Sequence, residues 1–75
     1  MVWAFLLLEC KKSFLEILLS EIDKIKGVEC VYRIDNGPYD LILKIEATDR
    51  IALRDKVAEV VNLGHVYNTL SLIVI

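Results

Sequence analysis

Few side chains in this sequence have the types and spacing that chemistry requires. The candidate nucleophiles and metal ligands are Cys10, Cys30 and the single histidine, His65. The two cysteines lack the close Cys-x-x-Cys spacing of a zinc or redox site. They read instead as buried free thiols of a reducing compartment, with no disulfide between them. An isolated histidine titrates near neutrality, but His65 falls in a turn and reads as a loop residue without a role. No paired acid–base dyad, phosphate-cradling loop or Cys/His pairing stands out. The chain is therefore expected not to be an enzyme, and neither a cofactor nor a metal is expected.

Charge and length exclude further classes. The 75 residues hold 9 basic and 11 acidic side chains, a net charge of −2. Lys11-Lys12 is the longest basic run, so the electrostatic footprint of a nucleic-acid binder is missing and no direct DNA contact is expected. The length suits one domain, residues 1–75, with no room for a helix-turn-helix beside it. The longest apolar runs, Val2 to Leu8 and Leu72 to Ile75, fall far short of the roughly 20 residues that span a bilayer. The first of them is also too short for a secretory leader and has no basic stretch before it. A cytoplasmic protein without membrane contact is expected.

The composition is nonetheless 56% hydrophobic, with a mean hydropathy of +0.52. A domain of this size buries only about 60% of the surface of its unfolded chain. Another protein chain is expected to take the excess.

The elements that position these residues can be read from periodicity. Val2 to Leu8 is apolar on both faces, as a central strand must be. Ser13-Phe14-Leu15-Glu16 has the form of a capping box. Phe14, Leu15, Leu18, Ile22 and Ile25 then follow helical spacing to Gly27, which predicts a helix over 14–26. Val28 to Ile34 alternates and reads as a strand nearer an edge. Asp35-Asn36-Gly37-Pro38 is a dense turn signal, and Tyr39 to Glu46 is the returning strand, with Leu41, Leu43 and Ile45 on one face. Thr48 or Asp49 caps a second helix over 50–62, its buried stripe drawn from Ile51, Leu53 or the Arg54 stem, Val57, Val60 and Val61. Thr69 to Ile75 is the last strand.

This order, βαββαβ, is the split βαβ arrangement of the ferredoxin-like α+β sandwich. Right-handed crossovers give an antiparallel sheet in order 4-1-3-2 with both helices on one face. The other face is then bare. Either Trp3, Phe5 and Leu7 or Val2, Ala4, Leu6 and Leu8 point away from the helices. An apolar sheet face of that size marks an interaction surface. Burying about 500 Å² of it on each chain is worth on the order of 10 kcal/mol before association costs. A homodimer of the dimeric α/β-barrel type, sheet against sheet, is expected.

Three segments together resemble the effector-binding domain, the RAM domain, of the Lrp/AsnC transcription regulators. Ile25-Lys26-Gly27-Val28 is similar to an Ile-Pro-Gly-Val turn. Gly37-Pro38-Tyr39-Asp40-Leu41 matches a Gly-x-Tyr-Asp-Leu loop. Val66-Tyr67-Asn68-Thr69-Leu70-Ser71 looks like Val-x-x-Thr-x-Thr before a terminal apolar strand. The resemblance runs from residue 2 to 75. It implies the form that lacks the helix-turn-helix domain, acting in regulation of transcription through oligomerisation. Its dimers would assemble into octamer-like rings, bind an amino acid or similar small effector between dimers, and mix with full-length regulators.

Carried over by position, the resemblance implies a ligand site of Gly37, Tyr39, Asp40, Val66, Thr69 and Ser71. Asp40 would meet an ammonium. Backbone N–H groups near Asn36 and Gly37, with the Thr69 and Ser71 hydroxyls, would meet a carboxylate. Gly64-His65 stands where the family has Pro-Gly, and Pro38 removes one donor from the loop. The competing readings are a small dimeric α/β-barrel enzyme of monooxygenase or isomerase type, and a purely structural oligomer. The mainly aliphatic strands argue against the enzyme, though the fold alone hosts many functions.

Overall fold

The computed structural model describes residues 1–74. Its first strand, β1 (Val2–Cys10), is followed by a 3₁₀ turn at Lys12–Phe14 and helix α1 (Leu15–Ile22). Strands β2 (Val28–Arg33) and β3 (Leu41–Ala47) form the hairpin, helix α2 (Arg50–Val61) crosses back, and β4 (Val66–Val74) closes the order. The sheet runs β2-β3-β1-β4 with every neighbouring pair antiparallel. This is the ferredoxin-like α+β fold in the order expected from right-handed crossovers. Ile75, placed in the last strand by its apolar character, lies outside the described residues.

Register decides which side of each strand is buried, because residues opposite one another project to the same face. Leu6 pairs with Leu43 on one side and Ser71 on the other; Leu8 pairs with Leu41 and Thr69. Ala4, Leu6, Leu8 and Cys10 join Leu41, Leu43 and Ile45 beneath the helices. Leu18 and Ile22 of α1 and Leu53 and Val60 of α2 complete that core. The opposite face therefore carries Trp3, Phe5 and Leu7 of β1, Ile42 of β3, and Leu70, Leu72 and Val74 of β4. Trp3 and Phe5 are exposed although β1 is central. Lys44 lies on this face too, its Nζ 3.8 Å from the centre of the Trp3 ring, a contact in which the ring's negative face attracts the ammonium.

The helices depart from the periodicity reading in three places. The Ser13-x-x-Glu16 capping box does not form. Phe14 N–H donates to Lys11 O at 3.0 Å, so Ser13 sits inside a 3₁₀ turn and Phe14 takes the N-cap position with no side-chain cap bond. Helix α1 also ends at Ile22 and not at 26. Ile25 N–H donates to Ile22 O at 3.0 Å, a tightened i to i+3 turn of the kind that finishes helices. Ile25 packs on the core from that turn. Finally, Ile51 is 76% exposed and leaves the stripe, which is Leu53 and Val60 flanked by Val57 and Val61. Of the two residues offered as caps for α2, Asp49 is the one that acts: its side chain accepts the Ala52 N–H at 2.8 Å, as an N-cap carboxylate does.

Candidate functional site

Strand β1 outruns β3 by two residues. The β1–β3 ladder ends at Leu8 opposite Leu41, while β1 continues to Cys10. The same stretch carries a register shift against β4 between Glu9 and Cys10. A backbone N–H left without a strand partner must find another acceptor. Asp40 supplies it, its Oδ2 accepting the Cys10 N–H at 2.9 Å. Its own N–H donates to Leu8 O at 2.7 Å, and its carbonyl accepts the Ile34 N–H at 2.8 Å. Asp40 thus ties the end of β1 to both arms of the β2–β3 loop. Residue pattern alone puts it at the start of β3; it lies in the loop just before Leu41.

The carboxylate has a second consequence. Burial pushes the Cys10 thiol above its ordinary value, and the negative charge of Asp40 pushes it the same way. Cys10 and Cys30 are both free; Cys10 is buried as expected, whereas Cys30 is only half-buried. Cys30 lies on the open face beside Tyr32 of the same strand, and its proximity pushes the Tyr32 phenol above its ordinary value.

The remaining residues of the expected site fall at the same end of the sheet without closing on one another. Gly37 sits at the exposed tip of the loop with φ 115°, a conformation that favours glycine. Tyr39 is half-buried beside Asp40. Val66 opens β4 opposite Cys10, and Thr69 follows opposite Leu8. Thr69 and Ser71 project to the helix side, because their partners Leu8 and Leu6 do. One strand, β1, separates Leu41 from Thr69, so their backbones stand roughly 10 Å apart. Within one chain, then, the loop and the β4 hydroxyls flank β1 and form two open walls.

A cleft of about 370 Å³ adjoins the loop wall, lined by Lys12, Leu15, Arg33, Ile34, Asp35 and Asp40. Of these, only Asp40 belongs to the expected site. Lys12 has the sequence character of a solvated corner, and the 3₁₀ turn that carries it to the cleft has no signal in the periodicity. Arg33 closes one side through an exposed ion pair to Glu16 of α1 at 3.1 Å. His65, which stands where the resembling family has glycine, takes φ 77°. Its ring stacks on Phe14 at 3.9 Å between centroids, which gives this turn a packed side chain and His65 a structural place. Among the described residues no group of histidine, cysteine and acidic side chains converges as a metal site. No described helix is long and apolar enough to cross a membrane.

No protein-family model matches the chain, and no curated relative matches it. Its likeness is to solved structures. TTHA0845 of Thermus thermophilus is 29% identical, with a TM-score of 0.89 over 100% of this chain and 94% of that one. AsnC of Escherichia coli is 20% identical with a TM-score of 0.80, covering 97% of this chain and 50% of AsnC. LrpC of Bacillus subtilis is 23% identical with a TM-score of 0.78, covering 97% of this chain and 49% of LrpC. The chain spans about half the length of these two regulators and has the fold of the part it covers. The fold that the resemblance implies is therefore matched by the course of the backbone.

Proposed function

We propose that this chain, with the fold that it shares with half of AsnC and LrpC, is a regulatory module that binds a small amino-acid effector and transmits the event through its own assembly. The observation that supports the reading is that two stretches of the expected site lie at one end of the sheet, on either side of β1. The Gly37 to Asp40 loop and the Val66 to Ser71 stretch flank the end of β1 as two open walls, next to a bare apolar sheet face. Two chains packed through that face, and further dimers beside them, would bring the walls of different copies together. An amino acid held there would set its ammonium against Asp40 and its carboxylate against loop N–H groups and the Thr69 and Ser71 hydroxyls. The ligand would shift the assembly by the difference in its affinity for the two states. With a net charge of −2, these 75 residues would act on transcription through partners, by mixed assembly with regulators that themselves contact DNA.

The test is native mass spectrometry with a panel of free amino acids. A discrete ligand mass on a dimer-based assembly, or a change of its order with one amino acid, is the expected outcome. Asp40→Asn, which keeps an acceptor for the Cys10 N–H and removes the charge, should abolish that mass. A dimer without ligand mass across the whole panel would overturn the proposal.

A further inference from the structure

Three elements meet around the cleft of about 370 Å³ beside the loop. The 3₁₀ turn closes when the Phe14 N–H bonds to Lys11 O, and it brings Lys12 to the cleft two residues beyond Cys10, whose own N–H is held by Asp40. Arg33 pairs with Leu41, a residue of the core beneath the helices, so it projects to the helix side of β2. The Ile34 N–H, bonded to the Asp40 carbonyl, fixes the remaining side. Leu15 and Ile34, both half-buried, supply the apolar part of the lining.

The other four lining residues are charged: Lys12, Arg33, Asp35 and Asp40. Asp40 belongs both to this cleft and to the end of β1 that the two walls flank. A ligand ammonium on Asp40 neutralises that carboxylate. Lys12 and Arg33 then stand against Asp35 alone, an excess of one positive charge. Lys12 makes no ion pair among the described residues. Arg33 gives Glu16 one of its nitrogens, in a pair exposed on both sides and therefore readily exchanged. The rest of its planar donor fork is open to a second carboxylate. The volume is on the scale of small-molecule pockets, with room for a whole side chain.

We infer that this cleft receives the side chain of the effector, and that Lys12, with Arg33, makes the module selective for an amino acid with an acidic side chain. The inference rests on the effector reading and starts from its ammonium at Asp40. The main-chain carboxylate then turns to the loop and β4 walls, and the side chain is left to enter the cleft. Its carboxylate meets Lys12 and the free nitrogens of Arg33 in charge-assisted hydrogen bonds. The same lining works against other side chains. A basic one meets two cations, and an aliphatic one lies among charged groups that it cannot pair. Lys12 is thus a specificity residue, supplied by the turn before α1 and not by the loop or β4.

The experiment titrates the chain with two isosteric pairs, glutamate against glutamine and aspartate against asparagine, and reads bound ligand by native mass spectrometry. In at least one pair the acid should bind about tenfold more tightly than its amide, as a charge-assisted bond in place of a neutral one implies. Lys12→Met should bring acid and amide close to parity while amide binding persists. Lys12→Arg should keep the preference for the acid. Lys12 is exposed, and circular dichroism of both variants, expected to match the parent, establishes that they are folded. A merely structural role for Lys12 would weaken acid and amide alike and leave their ratio unmoved. That result, or amides bound as tightly as acids by the parent chain, would overturn the inference and leave the effector reading standing. Absence of ligand mass with every amino acid would overturn both.

Discussion

The Asp40 carboxylate and the Cys10 backbone N–H, thirty positions apart in the chain, meet at 2.9 Å where β1 runs past the end of β3. Removing the acceptor leaves a partly buried donor unsatisfied. Asp40→Ala should cost about 1–3 kcal/mol, read as a lower urea midpoint at unchanged slope. Asp40→Asn should recover most of it. Equal losses in the two variants would place the effect in the charge and not in the hydrogen bond.

The same carboxylate adds to the effect of burial on a thiol. Cys10 is held above its ordinary value of 9.0 by burial and then by Asp40. A thiol kept protonated in the fold but ionised in the unfolded chain contributes stability that declines as pH rises through the unfolded-state value toward the folded one. Two consequences are expected. Stability should fall on raising the pH from about 8 to 10, by less in Cys10→Ala than in the parent. Thiol labelling of the native protein at pH 8 should modify Cys30 well before Cys10.

Two glycines separate backbone strain from collision. Gly27 has φ 98°, and a Cβ built there would stand 3.0 Å from the Glu46 carbonyl oxygen. The Gly27 carbonyl in turn accepts the Glu46 N–H at 2.8 Å, so neither group can withdraw without losing that bond. Gly37 has φ 115° with open space around it. Gly37→Ala should cost about 1–2 kcal/mol for the left-handed backbone alone, and Gly27→Ala clearly more. Thermal unfolding of the two variants side by side decides it.

Helix α2 offers a test of which apolar side chains hold it. Leu53 is fully buried and Ile51 is not. Leu53→Ala should cost about 2–5 kcal/mol, whereas Ile51→Ala should stay within about 0.5 kcal/mol. Comparable losses would mean that Ile51 is covered in solution by another copy.

Periodicity carried the fold because each strand's role in the sheet is written in its apolar pattern. Val2 to Leu8 is apolar on both faces and lies in the middle, while Leu41, Leu43 and Ile45 alternate and face the helices. What escaped it are features in which apolar spacing and backbone state part company. Ile25 keeps helical spacing yet packs from a turn, and Ser13 has the residue type of a cap yet lies within a 3₁₀ turn. Two-fold ambiguity in a doubly apolar strand is similar: whether Trp3 or Ala4 faces the helices depends on register with β3, which the strand itself does not encode. For the candidate site, the loop and β4 motifs were legible only through the family resemblance. The structural duty of Asp40 was not, because it depends on β1 reaching Cys10. Nor was the cleft beside it, because Lys12 and Arg33 come from elements far apart in sequence.

The central place of β1 also sets the order in which the molecule can be made. Its two partners are β3, up to Ala47, and β4, up to Val74, so β1 leaves the ribosome before either of the strands that enclose it. Val2 to Leu8 must wait as a bare hydrophobic stretch until β3 is synthesised, and one side of it waits until synthesis has passed Val74. Such non-local closure slows folding and exposes sticky segments meanwhile. The arrangement makes the newborn chain a natural client for holding chaperones, and makes truncation within β4 a lesion of the core strand rather than of the periphery.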